Sequence, residues 1–375
     1  MALTGRPDGP PLGPPPGLVP GLDAVAERLE RHTTTLGSPV VMDPLAVLVE
    51  RASAQGLTRG GTTSCGGSTR LLPTADGWIA VALARPDDVE LLPAWLGIAP
   101  PPDDVWAAVA RAVAPRTAPE VVAQGRLLGL PVARLPEPTQ PPEPPEPATP
   151  RTRKRVRGVA GSGGWVSSGG WVGSGKGVTA MRDVVVVDLS SLWAGPLCGA
   201  LLVEAGAHVL KVESAGRPDG ARLGSPAFFD RLNGAKQSVL LDLPSADGVA
   251  ELRRLISTAD VVIEASRPRA LQQMGIDAQE LMAGEDGPRV WASITAHGRT
   301  GERGSWVGFG DDAAVAGGLV VSDGEGPCFC ADAVADPITG MVAAAAIAEA
   351  LTTDERALLD LPLSATAARF TGRER

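Results

Sequence analysis

The 375-residue sequence contains no tyrosine, three histidines and four cysteines. The missing tyrosine and the scarce histidine exclude most chemistry that needs a tyrosine acid or a histidine cluster. Cys65, Cys198, Cys328 and Cys330 are too few and too scattered for a disulfide framework, and the spacing of the last two fits neither zinc nor redox motifs. We interpret the four as small packing residues.

Long apolar runs are also missing. None approaches the roughly 20 residues that a membrane-spanning helix needs, and the N-terminal segment lacks the apolar region of a signal peptide. The net charge of −9 argues against a general affinity for nucleic acid or anionic membranes. Together these features predict a cytoplasmic protein with no nucleic-acid and no membrane partner.

Glycine and proline are abundant, with 46 and 35 copies, and both weaken the interiors of helices and strands. Residues 1–20 are rich in both and are predicted to be disordered. Residues 136–180 are first Pro-rich and then Gly/Ser-rich, which predicts a linker with a stiff and a flexible half. With 44% hydrophobic residues, the rest of the chain can form two domains.

The segment 21–135, before the linker, has the pattern of a small α/β domain. Apolar residues recur at spacings of three and four over residues 23–31, 105–113 and 119–127, which predicts amphipathic helices. Residues 78–83 follow the turn signal Asp76-Gly77 and favour a strand.

The segment 181–365, after the linker, alternates β-rich runs with helical patterns. This alternation predicts a parallel, Rossmann-like sheet, so the expected fold class is α/β with a large C-terminal and a small N-terminal domain. Ligands of such sheets bind at the carboxyl ends of the strands. The predicted strands lie at residues 184–189, 208–213, 239–243, 261–265 and 291–295.

Asp336-Pro337 precedes an Ala-rich run and is typical of a helix start, with Asp336 as N-cap and Pro337 as first helical residue. A helix N-terminus carries unpaired N–H groups and positive potential. Such a position is expected to keep a carboxylate ionised, and it could also stabilise an oxyanion.

Several motifs occur in the order found in one enzyme family. They begin with DLSSLWAGP at 188–196 and GAHVLKVE at 206–213, continue through LNGAKQSV at 232–239 and DVVIE at 260–264, and end with ADPITGM at 335–341. The sequence here resembles the class III CoA-transferases of the formyl-CoA and carnitine CoA-transferase type. The resemblance implies a homodimer without a permanently bound cofactor, whose substrates are a coenzyme A thioester and a carboxylic acid.

The resemblance also implies roles for individual residues. Asp336 matches the family's nucleophile, which passes CoA between acids through a mixed anhydride and an aspartyl-CoA intermediate. Lys236 and Arg267 could pair with phosphates, although each is equally well explained as an ordinary surface charge. The full set of implied CoA contacts is Ser191, Leu192, Trp193, Ala194, Lys211, Asn233, Lys236, Glu264 and Arg267.

Three departures from the family pattern are expected to weaken CoA binding. Ala265-Ser266 stands where the family has Asn-Phe, Gln273 stands where it has Arg, and Ala235 replaces a second Asn. A glycine pair, Gly66-Gly67, lies about where some members carry a mobile loop over the nucleophile, and a plain turn is the alternative reading.

The two parts stand in reversed order, because residues 72–81 and 105–134 resemble the family's small domain, which normally comes second. The chain is either circularly permuted or joins the tail of one copy to the head of another, and the two parts pair either within or between chains. Residues 352–375 are weakly patterned where the family continues, so we expect part of the large domain to be missing.

Three functions are compatible with the sequence. The first is transfer of CoA between an acyl-CoA and a carboxylic acid. The second is an α-methylacyl-CoA racemase, which shares the aspartate but needs an upstream His-Asp pair, where Phe309-Gly310-Asp311 has no histidine. The third is a catalytically drifted protein that only binds CoA.

Overall fold

The computed structural model describes residues 3–98, 104–137, 178–284, 287–353 and 356–372. The predicted linker, 136–180, lies outside the described residues except at its two ends. The helices are α1 (Leu18–Thr35), α2 (Pro44–Gln55), α3 (Pro86–Glu90), α4 (Leu92–Leu96), α5 (Val105–Val113), α6 (Ala118–Leu127), α7 (Ala194–Glu204), α8 (Pro226–Asn233), α9 (Ala246–Thr258), α10 (Pro268–Gln273), α11 (Ala278–Ala283), α12 (Gly310–Ala316), α13 (Ala335–Leu351) and α14 (Leu363–Ala368). The strands are β1 (Thr69–Pro73), β2 (Trp78–Ala82), β3 (Val132–Leu135), β4 (Val185–Asp188), β5 (His208–Ser214), β6 (Gln237–Leu241), β7 (Val261–Glu264), β8 (Val290–Thr295), β9 (Val320–Ser322), β10 (Pro327–Phe329) and β11 (Ala357–Pro362).

A parallel six-stranded sheet with the order β11-β8-β7-β4-β5-β6 forms the centre of the large C-terminal part. Every residue of β7 and β8 is buried, as in strands that helices cover on both faces. The predicted Rossmann-like α/β fold is confirmed. The weakly patterned C-terminal segment contributes a strand to this sheet, because β11 pairs with β8.

A smaller antiparallel sheet, β1-β2-β3, lies in the N-terminal part. Its apolar face packs against α5 and α6 around a core of its own that includes Ile79, Val81, Val109, Val121 and Val132. The strand β2 and the helices α5 and α6 therefore form where their sequence patterns predict them.

Helices α1 and α2 pack with the large part of the chain instead. Their buried residues Leu22, Leu29 and Leu48 share one core with Ile338 and Met341 of α13, and Arg28 Nε donates to Glu349 at 2.7 Å. Burial of the apolar faces of both helices accounts for this placement. Residues 18–55 thus complete the core around α13.

The N-terminal segment before α1 is packed as well, where the sequence predicts disorder. Leu3 is buried, Ala331 N–H donates to Thr4 Oγ1 at 3.1 Å, and Arg6 pairs with Asp323 at 2.5 Å. These tertiary contacts outweigh the local glycine and proline content.

Residues near the two ends of the chain lie side by side. A Cβ on Gly17 would overlap the backbone of Gly372, and one on Gly21 would lie 2.7 Å from the ring of Phe370. In the structure of this single chain, the segment around Gly17 thus packs against the C-terminal residues. Among the described residues, no helix combines the length and the apolar character that crossing a bilayer requires.

Candidate active site

Asp336 lies in the first turn of α13 and is half-buried. It does not cap the helix as predicted, because α13 begins at Ala335 and Val334 is the N-cap. Its carboxylate instead accepts a hydrogen bond from the backbone N–H of Gly310, the first residue of α12. The nucleophile candidate thus bridges the starts of two helices.

The start of α13 lies against the start of α7. A Cβ on Gly340 would lie 2.6 Å from the carbonyl oxygen of Ala194, so only glycine permits this close crossing. Asp336 is four residues before Gly340 and lies on the same helix face. It therefore faces the end of α7 at which the loop from β4 enters, at the carboxyl edge of the parallel sheet.

Two further carboxylates lie near Asp336. Asp332 is fully buried and is paired with Arg51 of α2, whose Nε and Nη2 donate at 2.7 and 2.5 Å. Asp311 accepts hydrogen bonds from the backbone N–H of Ala333, at 3.0 Å, and from the hydroxyl of Ser64. We call Asp311, Asp332 and Asp336 the carboxylate cluster.

Burial raises the pKa of Asp336 to about 7, with Asp311 and Asp332 adding to the rise and Arg51 opposing it. The pKa of Asp311 is raised to about 6, again mainly by burial. The helix start is predicted to favour the ionised carboxylate, but desolvation and the neighbouring acids act against it and raise the pKa of Asp336.

The backbone that carries the cluster is conformationally unusual. Ala331 and Ala333, on either side of Asp332, have φ values of 55° and 43°, in the left-handed region that residues with a Cβ seldom adopt. Their N–H groups are held by Thr4 and Asp311. Strained residues of this kind persist where surrounding contacts fix them, and they are concentrated at functional sites.

The glycine turn lies beside the cluster. Gly67 N–H donates to Ser64 O at 2.9 Å with Gly67 at φ 79°, and a Cβ on Gly66 would lie 3.4 Å from Arg51 Nη2. The neighbouring Cys65 thiol has a pKa raised to about 12 by burial, so it stays neutral. The turn therefore contributes to the walls of the site.

The loop that opens α7 presents two exposed residues and two buried ones. Ser191 and Leu192 are exposed, whereas Trp193 and Ala194 are buried. Leu192 has φ 69° and donates its N–H to Asp219 at 2.9 Å. Ser191 and Leu192 are thus the part of the predicted CoA loop that a ligand can reach.

Two predicted phosphate or CoA contacts are occupied within the protein. Lys236 Nζ lies 2.8 Å from Asp188 Oδ2, 2.8 Å from Pro196 O and 3.0 Å from Asn233 Oδ1, which uses all three of its protons. Lys211 Nζ bonds Asp219 at 2.8 Å and the carbonyl of Ser190. The two ammonium groups thus hold the loop 190–196 from inside the protein.

Glu264 is also buried, and it accepts hydrogen bonds from Trp291 Nε1 at 2.6 Å and from Arg299 Nη1 at 3.3 Å. Arg267, by contrast, is exposed at the N-cap of α10. Of the predicted cationic contacts, Arg267 is the one whose side chain lies at the surface.

A buried pair that sequence reasoning missed is formed by His297, on the loop after β8, and Asp312 of α12. His297 and Asp312 are buried, and both His297 nitrogens and Asp312 Oδ2 lack a hydrogen-bond partner among the described residues. Burial lowers the pKa of His297 to about 3 and raises the pKa of Asp312 to about 8. A Cβ on Gly308 would lie 3.2 Å from His297 Nε2 and 2.8 Å from Asp312 Oδ2, so glycine keeps open the space between them.

Arg51 and Asp332 were missed as well, because neither belongs to a motif and 281 residues separate them. Among the described residues, no three His, Cys, Asp or Glu side chains are arranged to hold a metal ion. The site thus offers a partly buried carboxylate with a raised pKa, next to an exposed loop at the sheet edge.

Comparison with known proteins identifies the family. The family model for CoA-transferase family III matches residues 181–373. This chain therefore belongs to CoA-transferase family III, as its motifs indicate. The match covers the parallel sheet, α13 and the carboxylate cluster.

Individual relatives match over the same region. The succinate–glutarate CoA-transferase of Agrobacterium fabrum is 32% identical over 187 residues, which are 46% of this chain and 46% of that protein. The succinyl-CoA–D-citramalate CoA-transferase of Chloroflexus aurantiacus is 34% identical over 146 residues, 37% of this chain and 36% of that protein. The chain thus spans less than half the length of these relatives.

Among solved structures, a CAIB/BAIF family protein from Brucella suis aligns with 30% identity and a TM-score of 0.46. The alignment covers 50% of this chain and 54% of that one.

Proposed function

We propose that this protein transfers CoA from an acyl-CoA thioester to a carboxylic acid, with Asp336 as the nucleophile. The observation that carries the proposal is the position of this half-buried carboxylate, within the family-matched region and at the helix start that faces the loop 190–196. A carboxylate that is shielded from water favours exchange between thioester and acid over hydrolysis.

Each step of the proposed reaction exchanges one acyl bond for another. An Asp336 carboxylate oxygen attacks the thioester carbonyl, which forms a mixed anhydride and releases CoA thiolate. The thiolate then attacks the aspartyl carbonyl, which forms aspartyl-CoA and releases the donor acid as its carboxylate. The acceptor carboxylate repeats the sequence in reverse, so that acceptor acyl-CoA leaves and the Asp336 carboxylate is restored.

The protein contributes position and electrostatics to these steps. The N–H of Gly310 fixes the carboxylate, and only the ionised form can attack. Since the pKa of Asp336 is raised to about 7, we expect kcat/KM to rise with pH through this region and to fall as the group is protonated.

CoA would lie along the loop at the start of α7. Ser191 and Leu192 are exposed there, and Arg267 is an exposed cation that a phosphate could reach. We assign Lys211, Asn233, Lys236 and Glu264 to holding the site in shape, because their polar groups bond within the protein.

The test is CoA transfer from succinyl-CoA to glutarate, followed by mass spectrometry of the protein. Asp336→Asn should abolish both the transfer and the CoA adduct on the peptide that contains residue 336. Asp242 is an exposed aspartate on another loop, so Asp242→Asn should leave both unchanged. Transfer that survives in Asp336→Asn would remove the proposed role.

The same preparation distinguishes the alternatives. Incorporation of deuterium at the α-carbon of a 2-methylacyl-CoA in heavy water would indicate a racemase. Protection against thermal unfolding by CoA, without transfer or exchange, would indicate a protein that only binds CoA.

A further inference from the structure

Arg51 reaches the carboxylate cluster from the N-terminal part of the chain. It lies in the last turns of α2 and forms a two-pronged ion pair with Asp332, at 2.7 and 2.5 Å. The side chain of Asp332 is fully buried, and that of Arg51 is about a quarter exposed. A planar guanidinium held by two bonds has a fixed orientation as well as a charge.

Two other contacts fix the guanidinium. Its Cζ lies 5.0 Å from the ring centroid of Trp193, in cation–π geometry. Gly66 approaches it closely on another side, since a Cβ there would lie 3.4 Å from Nη2. The loop before α7, the glycine turn and the segment before α13 therefore meet at one arginine.

The charged groups that act on Asp336 include more acids than bases. Asp311 and Asp332 raise the pKa of Asp336 and Arg51 lowers it, while Asp336 in turn raises the pKa of Asp312. Cys65 is neutral because burial raises the pKa of its thiol to about 12. The positive charge that offsets this group of acids thus comes from α2, outside the family-matched region 181–373.

We propose that Arg51 is a positioning residue for the nucleophile, and that through it the N-terminal part of the chain holds the carboxylate cluster in place and favours the ionised form of Asp336. The inference rests on the proposed function for its consequence in catalysis. The ionisation of Asp336 can be measured whether or not the protein transfers CoA.

The first test is the titration of Asp336 in Arg51→Gln. The carboxyl signal of Asp336 is followed by carbon-13 NMR and assigned by its loss in Asp336→Asn. Removing an opposite charge at close range should move the titration to higher pH by about one unit or more. An unchanged midpoint in a folded Arg51→Gln protein would overturn the proposal.

Asp332→Asn separates an electrostatic role from a purely structural one. This substitution breaks the same ion pair but removes a negative charge, so the titration of Asp336 should move to lower pH. A merely structural role predicts that both substitutions shift the midpoint in the same direction, and that outcome would also refute the proposal.

Arg28→Gln is the matched control. Arg28 also joins the N-terminal part to α13, through Glu349, but Glu349 lies about 20 Å along the helix from Asp336. The control loses a comparable ion pair and should leave the titration unchanged.

If CoA transfer is observed, the pH profile of kcat/KM should follow the titration. Arg51→Gln should then lower kcat/KM about tenfold at pH 6 and much less at pH 9, whereas Arg51→Lys, which keeps the charge, should restore part of the loss. An equal loss at both pH values would contradict the proposal, and a shifted titration without any transfer would count against the proposed function alone.

Discussion

Gly310 and Asp336 are in such close contact that no residue larger than glycine fits at position 310. The N–H of Gly310 donates to the Asp336 carboxylate, and a Cβ on Gly310 would overlap both Asp336 Oδ2 and the carbonyl oxygen of Ala333. The first residue of α12 thus fixes the side chain at the start of α13. The family model matches α13, and the position of the Asp336 carboxylate on that helix depends on α12 as well.

Gly310→Ala should therefore displace the carboxylate of Asp336. We expect at least a hundredfold loss of CoA transfer, since misplacement of a reacting group by about 1 Å has a cost of this order. Transfer kinetics and thermal unfolding would be measured together. Gly77→Ala is the control, because a Cβ on Gly77 would meet no atom within 4 Å; a Gly310→Ala enzyme as active as that control would contradict the structure.

Asp312 should make the stability of the protein depend on pH. Burial raises its pKa to about 8, so between pH 4 and pH 8 the folded state holds a proton that the unfolded state has lost. The contribution of Asp312 to the free energy of unfolding should then fall as pH rises through this window and level off above about 8. Asp312→Asn, which cannot ionise, should lack this contribution.

Urea unfolding at pH 5, 6, 7 and 8 would measure the difference. The wild-type protein should lose stability relative to Asp312→Asn as pH increases, while exposed Asp242→Asn should run parallel to the wild type. If the free energies of unfolding of Asp312→Asn and wild type ran parallel with pH, this carboxyl would already be ionised in the folded state at neutral pH, against the prediction.

Replacement by methionine should affect stability at Lys236 and CoA binding at Arg267. Lys236 is buried with Asp188 at 2.8 Å, and breaking such a pair leaves an unpaired buried charge, which costs about 3–5 kcal/mol of folding free energy. Arg267 is exposed, so Arg267→Met should leave stability within about 0.5 kcal/mol of wild type and weaken CoA binding.

Chemical denaturation and calorimetry with CoA would test both variants. A Lys236→Met protein of wild-type stability with reduced CoA affinity would instead indicate that this lysine contacts the ligand directly. An Arg267→Met protein that binds CoA normally would place the phosphates elsewhere.

Local patterns in the sequence identify what is decided locally. The apolar run at β4 and the turn before β2 predict strands because side-chain alternation and turn chemistry act over a few residues. The motif around Asp336 predicts a helix start there, and the rhythm of the elements predicts the parallel sheet, whereas one strand of the small sheet is predicted and β1 and β3 are not. These features depend little on the rest of the chain.

Contacts between distant segments leave no such pattern. The apolar stripe of α1 predicts a helix but not whether α13 or the small sheet covers it. Arg51 and Asp332 carry no local signal of their pairing, and Lys236 matches a CoA-binding motif although its protons are used inside the fold. The raised pKa of Asp336 likewise follows from burial among other acids, which a helix-start signature cannot reveal.

The adjacency of Gly17 and Gly372 makes the fold almost circular. If residues 372 and 17 were joined and the polypeptide opened between residues 137 and 178, the small sheet would follow the parallel sheet in sequence, in the order that the resemblance to the family implies. The contacts of residues 18–135 with the large part, including the approach of Arg51 to the carboxylate cluster, could then persist, whereas those of Thr4 and Arg6 would be lost with residues 1–16. For this architecture, the linear order of the segments is a matter of connectivity, separate from the packing that builds the site.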